Sequence, residues 1–149
     1  MRLSCQKASL LVLASTIACN DSTGPRTVSA HFVLQSINGR ALPTYLAATP
    51  GPSTTIFSST LTLDRSGNAV ITEYRDDMLI GERTYTSTTT YTINGSKIEI
   101  AGQACLTYPD CIGQRAGTIF NNRLNLTINP RMDFPIVYEY RAAANLGYR

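Results

Sequence analysis

Residues 61–74 read LTLDRSGNAVITEY, two short alternating runs separated by five turn-forming residues. Before the turn, Leu61 and Leu63 share a parity with Phe57; after it, Ala69, Ile71 and Glu73 alternate with Val70, Thr72 and Tyr74. A period of two is the geometry of a strand with two distinct faces. Asp64-Arg65-Ser66-Gly67-Asn68 gives the chain a place to reverse, because Gly67 and Asn68 take positive φ at little steric cost. A hairpin on its own leaves two unpaired edges, so the rest of the chain has to supply more strands.

Most of the chain repeats this design. Residues 28–37 (VSAHFVLQSI) put Ala30, Phe32 and Leu34 on one face and His31, Val33 and Ile37 on the other. Both faces carry apolar residues, which predicts burial on both sides. Asn38-Gly39 signals a turn and Leu42-Pro43 a break. Residues 43–53, with three prolines and a glycine, read as a crossing loop or lid with Tyr45 and Leu46 tucked beneath it. Strands are then predicted over 54–63, 68–75, 82–93, 97–101, 115–120, 124–128 and 136–141, with hairpin turns at Asn94-Gly95 and Asn121-Asn122. In 82–93 (ERTYTSTTTYTI) the threonines form one outward face, opposite Tyr85, Ser87, Thr89 and Tyr91. The predicted fold is all-β: eight consecutive strands forming an up-and-down antiparallel barrel, with a β-sandwich as the alternative. One domain spanning 29–141 accommodates them, followed by a tail, 142–149.

The N-terminus reads as an export signal: Arg2 and Lys7, then an uncharged and mostly apolar run over 8–18. That run is shorter than the ~20 residues a spanning helix needs. Ser15-Thr16-Ile17-Ala18-Cys19 resembles a bacterial lipobox. The resemblance implies a signal peptide over 1–18, diacylation of Cys19, and a polar tether over 19–28 leading to a membrane anchor. Asn20 in the next position resembles lipoproteins sent to the outer membrane of the bacterial envelope. Ordinary cleavage after Ala18 is the competing reading. Loss of Arg2 and Lys7 lowers the formal net charge of +3 to about +1, which gives no electrostatic case for nucleic acid as a partner.

Phe32-x-Leu34-x-Ser36-Ile37-Asn38-Gly39-x-x-Leu42-Pro43, Leu61-Thr62-Leu63-Asp64-x-x-Gly67, Tyr91-Thr92-Ile93-x-Gly95 and Val137-Tyr138-x-Tyr140-Arg141 together resemble small bacterial lipocalin-like lipoproteins. The resemblance supports the barrel. An eight-stranded barrel either fills with side chains or holds one small ligand. Tyr85 and Tyr91 on one strand, with Tyr138 and Tyr140 on the last, are the candidate lining for a small hydrophobic or amphipathic ligand; core filler or an exposed aromatic stripe is the plainer reading. Ser59, Ser87 and Gly117 are the small residues that would open such a cavity.

Cys105 and Cys111 enclose LTYPD and, in an exported chain, read as a disulfide rather than a redox or metal site. With a single histidine, His31, the chain offers neither a zinc ligand set nor a marked nucleophile and base pair, and His31 itself reads as a partly buried, hydrogen-bonded strand residue. Asp76 and Asp77 are expected to point apart into water, and the same-face pairs Glu73 with Arg75 and Glu139 with Arg141 to form salt bridges on the outer surface or at the mouth. The expectation is an envelope lipoprotein that is not an enzyme and needs no cofactor or metal. It either carries a small ligand or serves as a structural module that meets an envelope protein.

Overall fold

The computed structural model describes residues 25–47, 53–102, 113–128 and 135–143. Among these there is no helix. The strands are β1 (Ala30–Ile37), β2 (Arg40–Ala41), β3 (Thr44–Leu46), β4 (Thr54–Leu63), β5 (Asn68–Asp77), β6 (Gly81–Asn94), β7 (Lys97–Ile100), β8 (Arg115–Phe120), β9 (Arg123–Ile128) and β10 (Ile136–Ala142). From β4 to β10 each strand pairs antiparallel with the next, and β1 pairs with both β10 and β4, which closes the sheet. The result is an eight-stranded up-and-down barrel with two extra short strands.

The extra strands fill the gap where β1 and β4 diverge. β1 meets β4 over Ala30–Val33 and then β2 at Ser36 and Ile37, while β4 meets β3 over Thr54–Ile56. The expected loop over 43–53 therefore begins as a strand. Alternation turns Thr44 inward and leaves Tyr45 61% exposed, so Tyr45 is not tucked under; Leu46 does pack on the core.

Two bulges correct the parity read from the sequence. One, between Leu34 and Ser36, brings Ile37 to the same interior as Ala30, Phe32 and Leu34. The double-apolar pattern of β1 thus reflects one shifted face, and His31 and Val33 lie outside. The other, between Ile56 and Ser58, separates Phe57 from Leu61 and Leu63. Ile56, Ser59, Leu61 and Leu63 point inward, while Phe57 packs outside against the Tyr74 ring at 5.1 Å.

The turns follow local stereochemistry. Asn38 and Gly39 (φ 51° and 72°) join β1 to β2, and Asn121 and Asn122 (φ 46° and 63°) join β8 to β9; two consecutive positive φ values match the twist of the flanking strands. Between β6 and β7 Asn94 pairs with Lys97, so the reversal falls on Gly95-Ser96, one residue later than the Asn-Gly signal suggests. In the β4–β5 turn, Asp64 Oδ1 accepts hydrogen bonds from the Ser66 and Asn68 amides at 2.8 and 2.9 Å. Its Oδ2 accepts one from the Asn68 side chain at 2.8 Å. The backbone and side-chain amides of Asn68, joined by those of Ser66 and Gly67, hold the Asp64 carboxyl below its ordinary value of 3.8.

The β4–β5, β6–β7 and β8–β9 turns gather at one end, which the incoming chain closes, whereas Asn38-Gly39 lies at the other, where the Asn38 amide donates to the Val137 carbonyl. The Arg26 amide donates to the Ile93 carbonyl at 2.9 Å. The Tyr91 hydroxyl accepts from the Val28 amide at 2.7 Å and shares its own proton between the carbonyls of Asp64 at 2.7 Å and Val28 at 2.8 Å. Above this floor the interior is apolar: Phe32, Leu61, Leu63, Ile93, Ile98, Leu124 and Leu126 are fully buried, each contributing roughly 1.5–3 kcal/mol. The β5–β6 turn, Met78–Ile80, lies at the opposite end.

Close strand approach explains Gly117: a Cβ there would stand 1.8 Å from the Asn125 carbonyl oxygen, a backbone atom that cannot swing away. Gly117→Ala is expected to lower the unfolding free energy by about 2–3 kcal/mol in urea titrations. Asp64→Ala is expected to destabilise the fold near neutrality. Because the folded carboxyl titrates below 3.8, its contribution is complete above that pH and disappears as pH falls through the folded value. Melting temperatures of wild type and variant should therefore converge in acid.

Candidate functional site

Toward the open end, the inward face of β5 changes from Ala69 and Ile71 to Glu73, Arg75 and Asp77. Facing them are Thr54 and Ser59 from β4, Tyr85 from β6, Arg115 from β8, and Tyr138 and Tyr140 from β10. Arg115 Nη2 lies 3.3 Å from Glu73 Oε1, and Arg75 Nη1 lies 3.5 Å from Glu73 Oε2. Arg75 Nε donates to Asp77 Oδ2 at 3.1 Å. Asp77 also accepts from the hydroxyls of Tyr85 at 2.5 Å and Thr54 at 2.7 Å. The Arg75 guanidinium sits 3.6 Å from the centre of the Tyr85 ring, and that of Arg115 sits 5.2 Å from the Tyr138 ring.

Two carboxylates and two guanidiniums thus balance inside the wall. Burial by itself pushes the Asp77 carboxyl up, but Tyr85, Thr54 and Arg75 outweigh it and hold it below its ordinary range. Burial likewise opposes the charge on Arg115, and Glu73 together with the two phenols more than restores it. Burial raises Tyr138 and Tyr140, with Glu73 adding to the rise in both, so each keeps its hydroxyl proton.

This arrangement corrects several expectations. Glu73 and Arg75 lie inside, with Glu73 only 6% exposed, because β5 keeps its parity through position 77 and Arg115 reaches across to meet them. Asp77 is 2% exposed rather than solvated, since Thr54 and Tyr85 enclose it. The other same-face pair stays outside: the Ser36 hydroxyl donates to Glu139, and Arg141 is exposed. His31 is exposed rather than partly buried, and its Nδ1 shares a hydrogen bond with the Thr62 hydroxyl at 2.9 Å.

Of the four candidate tyrosines, three come together. Tyr138 and Tyr140 stack with ring centres 6.2 Å apart; Tyr140 shares a hydrogen bond with Ser59 at 3.0 Å, and Tyr85 joins through Asp77. Tyr91 is at the closed end, with its hydroxyl engaged by backbone. Ser87 is half-buried above it on the inward face of β6, and Ser59 is fully buried. Cys19, Cys105 and Cys111 lie outside the described residues. Sequence reasoning missed Arg115, although its parity with Gly117 and Ile119 places it on an inward face. No group of three or more metal-ligating side chains occurs among the described residues. A surface groove of about 760 Å³, lined by Phe120, Arg123, Arg141 and their neighbours, belongs to the closed end and is remote from this cluster.

Removing one member of the buried ion pair should cost more than removing both. Glu73→Leu is expected to lose about 3 kcal/mol or more, because it leaves Arg115 without its carboxylate, whereas Glu73→Leu combined with Arg115→Leu recovers most of that loss. Urea unfolding of the two single variants and the double variant measures the coupling. No protein-family model, curated protein or solved structure matches the chain.

Proposed function

We propose that this protein is a bacterial envelope lipoprotein, anchored through an acylated Cys19, whose lipocalin-like barrel holds one small amphipathic molecule at its open end. The observation that carries the reading is the two-part interior: a packed apolar core below, and above it a polar, tyrosine-bordered cluster whose β6 side (Tyr85, Ser87 and Thr89) stays half-buried. A site with an apolar body and a few fixed polar groups suits an amphipathic ligand. No catalytic step belongs to this reading, because the carboxylates of the chamber are held by guanidinium and hydroxyl partners.

The tether adds an orientation. Cys19 precedes Arg26 by seven residues, a reach of at most ~25 Å, and Arg26 is fixed to the closed end. An outer-membrane anchor at Cys19 would then place the floor toward the bilayer and the mouth away from it.

A second reading, a filled barrel that displays its loops to an envelope protein, draws on Met78, Leu79 and Ile80. These form an apolar tip on the β5–β6 hairpin, exposed by 78%, 79% and 47%. Saturable, one-to-one binding of the uncharged probe N-phenyl-1-naphthylamine supports the carrier; no binding leaves the display module. Intact mass of membrane-extracted protein is expected to equal residues 19–149 plus diacylglyceryl and acyl groups, and Cys19→Ala should carry neither. An unmodified wild-type chain starting elsewhere overturns the anchor.

A further inference from the structure

Arg115 is 5% exposed, yet only one of its three nitrogens, Nη2, is bound by Glu73; Nε and Nη1 have no hydrogen-bond partner. A buried donor left without an acceptor is costly, the more so when it is charged, so native interiors rarely keep one. The phenols of Tyr138 and Tyr140 lie close enough to act on its charge, and Tyr140 comes near enough to interact with the guanidinium, yet neither meets Nε or Nη1 in hydrogen-bond geometry.

Among the described strands, β6 is the least covered side of the cluster. Along its inward face, Tyr91 and Ile93 are buried, whereas Arg83, Tyr85, Ser87 and Thr89 are only half-buried. β7 pairs with β6 only over Tyr91–Asn94, so among the described strands the upper part of β6 is paired on the β5 side alone. Tyr85 stands opposite Glu73 in the β5–β6 register, which brings this half-buried stretch next to the Arg115 guanidinium.

Charge then selects the head group. Among the described residues Glu73 and Asp77 already pair with Arg75 and Arg115, and Arg83 stands further out along β6 beside Tyr85, so a charged head group seated at Arg115 would disturb charges that are already matched there. An uncharged oxygen acceptor satisfies the spare donors and keeps the balance. We infer that Nε and Nη1 of Arg115 form the recognition point for an amphipathic ligand with an uncharged carbonyl head, an ester or amide, whose apolar part lies along the half-buried wall of β6. This rests on the carrier reading above and names the class of ligand.

The test is isothermal titration of the purified full chain at pH 8 with three probes of one chain length, below their micellar concentrations: the glycerol monoester of dodecanoic acid, dodecanoate, and dodecyltrimethylammonium. The monoester is expected to bind one to one, and each ionic probe at least about tenfold more weakly. Arg115→Lys keeps a cation opposite Glu73 and removes the spare guanidinium donors; it should weaken the monoester about tenfold and leave the ionic probes unchanged. Dodecanoate binding as tightly as the monoester overturns the inference, as does monoester affinity unchanged in a folded Arg115→Lys protein, which would mean that water alone fills these donor positions. Should that variant fail to fold, the head-group series in the wild-type chain decides. Failure of all three probes would overturn the carrier reading itself, a result distinct from binding with the wrong preference.

Discussion

The fold depends on one strand being paired twice. β1 lies between β10 and β4, and this double pairing turns a linear run of hairpins into a closed wall. Closure removes the edges that a flat sheet of this size would expose. It also gives every inward side chain a shared interior of fixed circumference. Along a strand the residue at every second position must enter that interior, whatever its chemistry, unless a bulge intervenes. The bulges in β1 and β4 intervene at Leu34–Ser36 and Ile56–Ser58, where they keep Ile37 and Ile56 inside and allow Phe57 out.

The charged chamber follows from the same rule. β5 runs without a bulge from Asn68 to Asp77, so the parity that buries Ala69 and Ile71 also carries Glu73, Arg75 and Asp77 inward. Buried charges persist only when paired and hydrogen-bonded. Arg115 from β8, with Thr54 and Tyr85, supplies the partners, and Tyr138 and Tyr140 cover them with aromatic surface. A group of this kind is weak as a source of stability, since apolar residues of similar volume often serve as well. It occupies one half of the barrel, above an apolar interior, and the carrier proposal rests on that division.

The two ends differ in what covers them. Short turns and the 25–29 segment seal the floor, with Tyr91 tying that segment to the β4–β5 turn. The Asn38-Gly39 turn and the apolar Met78–Ile80 tip are at the mouth. A chain tethered from its N-terminus would thus present its charged cluster and apolar tip on the side away from the tether.

What the sequence determined was set by local geometry: the eight wall strands, their order, the Asn38-Gly39 and Asn121-Asn122 reversals, and the outward threonines of β6. Alternation and positive φ are properties of a few adjacent residues and read the same in any context. Tyr85, Tyr138 and Tyr140 were also within reach, because parity put them on inward faces. Only the tertiary structure decided that Glu73 and Arg75 face in while Glu139 and Arg141 face out, that Tyr91 serves the floor instead of the chamber, and that Arg115 completes the cluster. Each of those outcomes depends on which residue stands across the barrel, 42 positions away for Glu73 and Arg115 and 63 for Val28 and Tyr91. Closure sets such distances, and no local pattern encodes them.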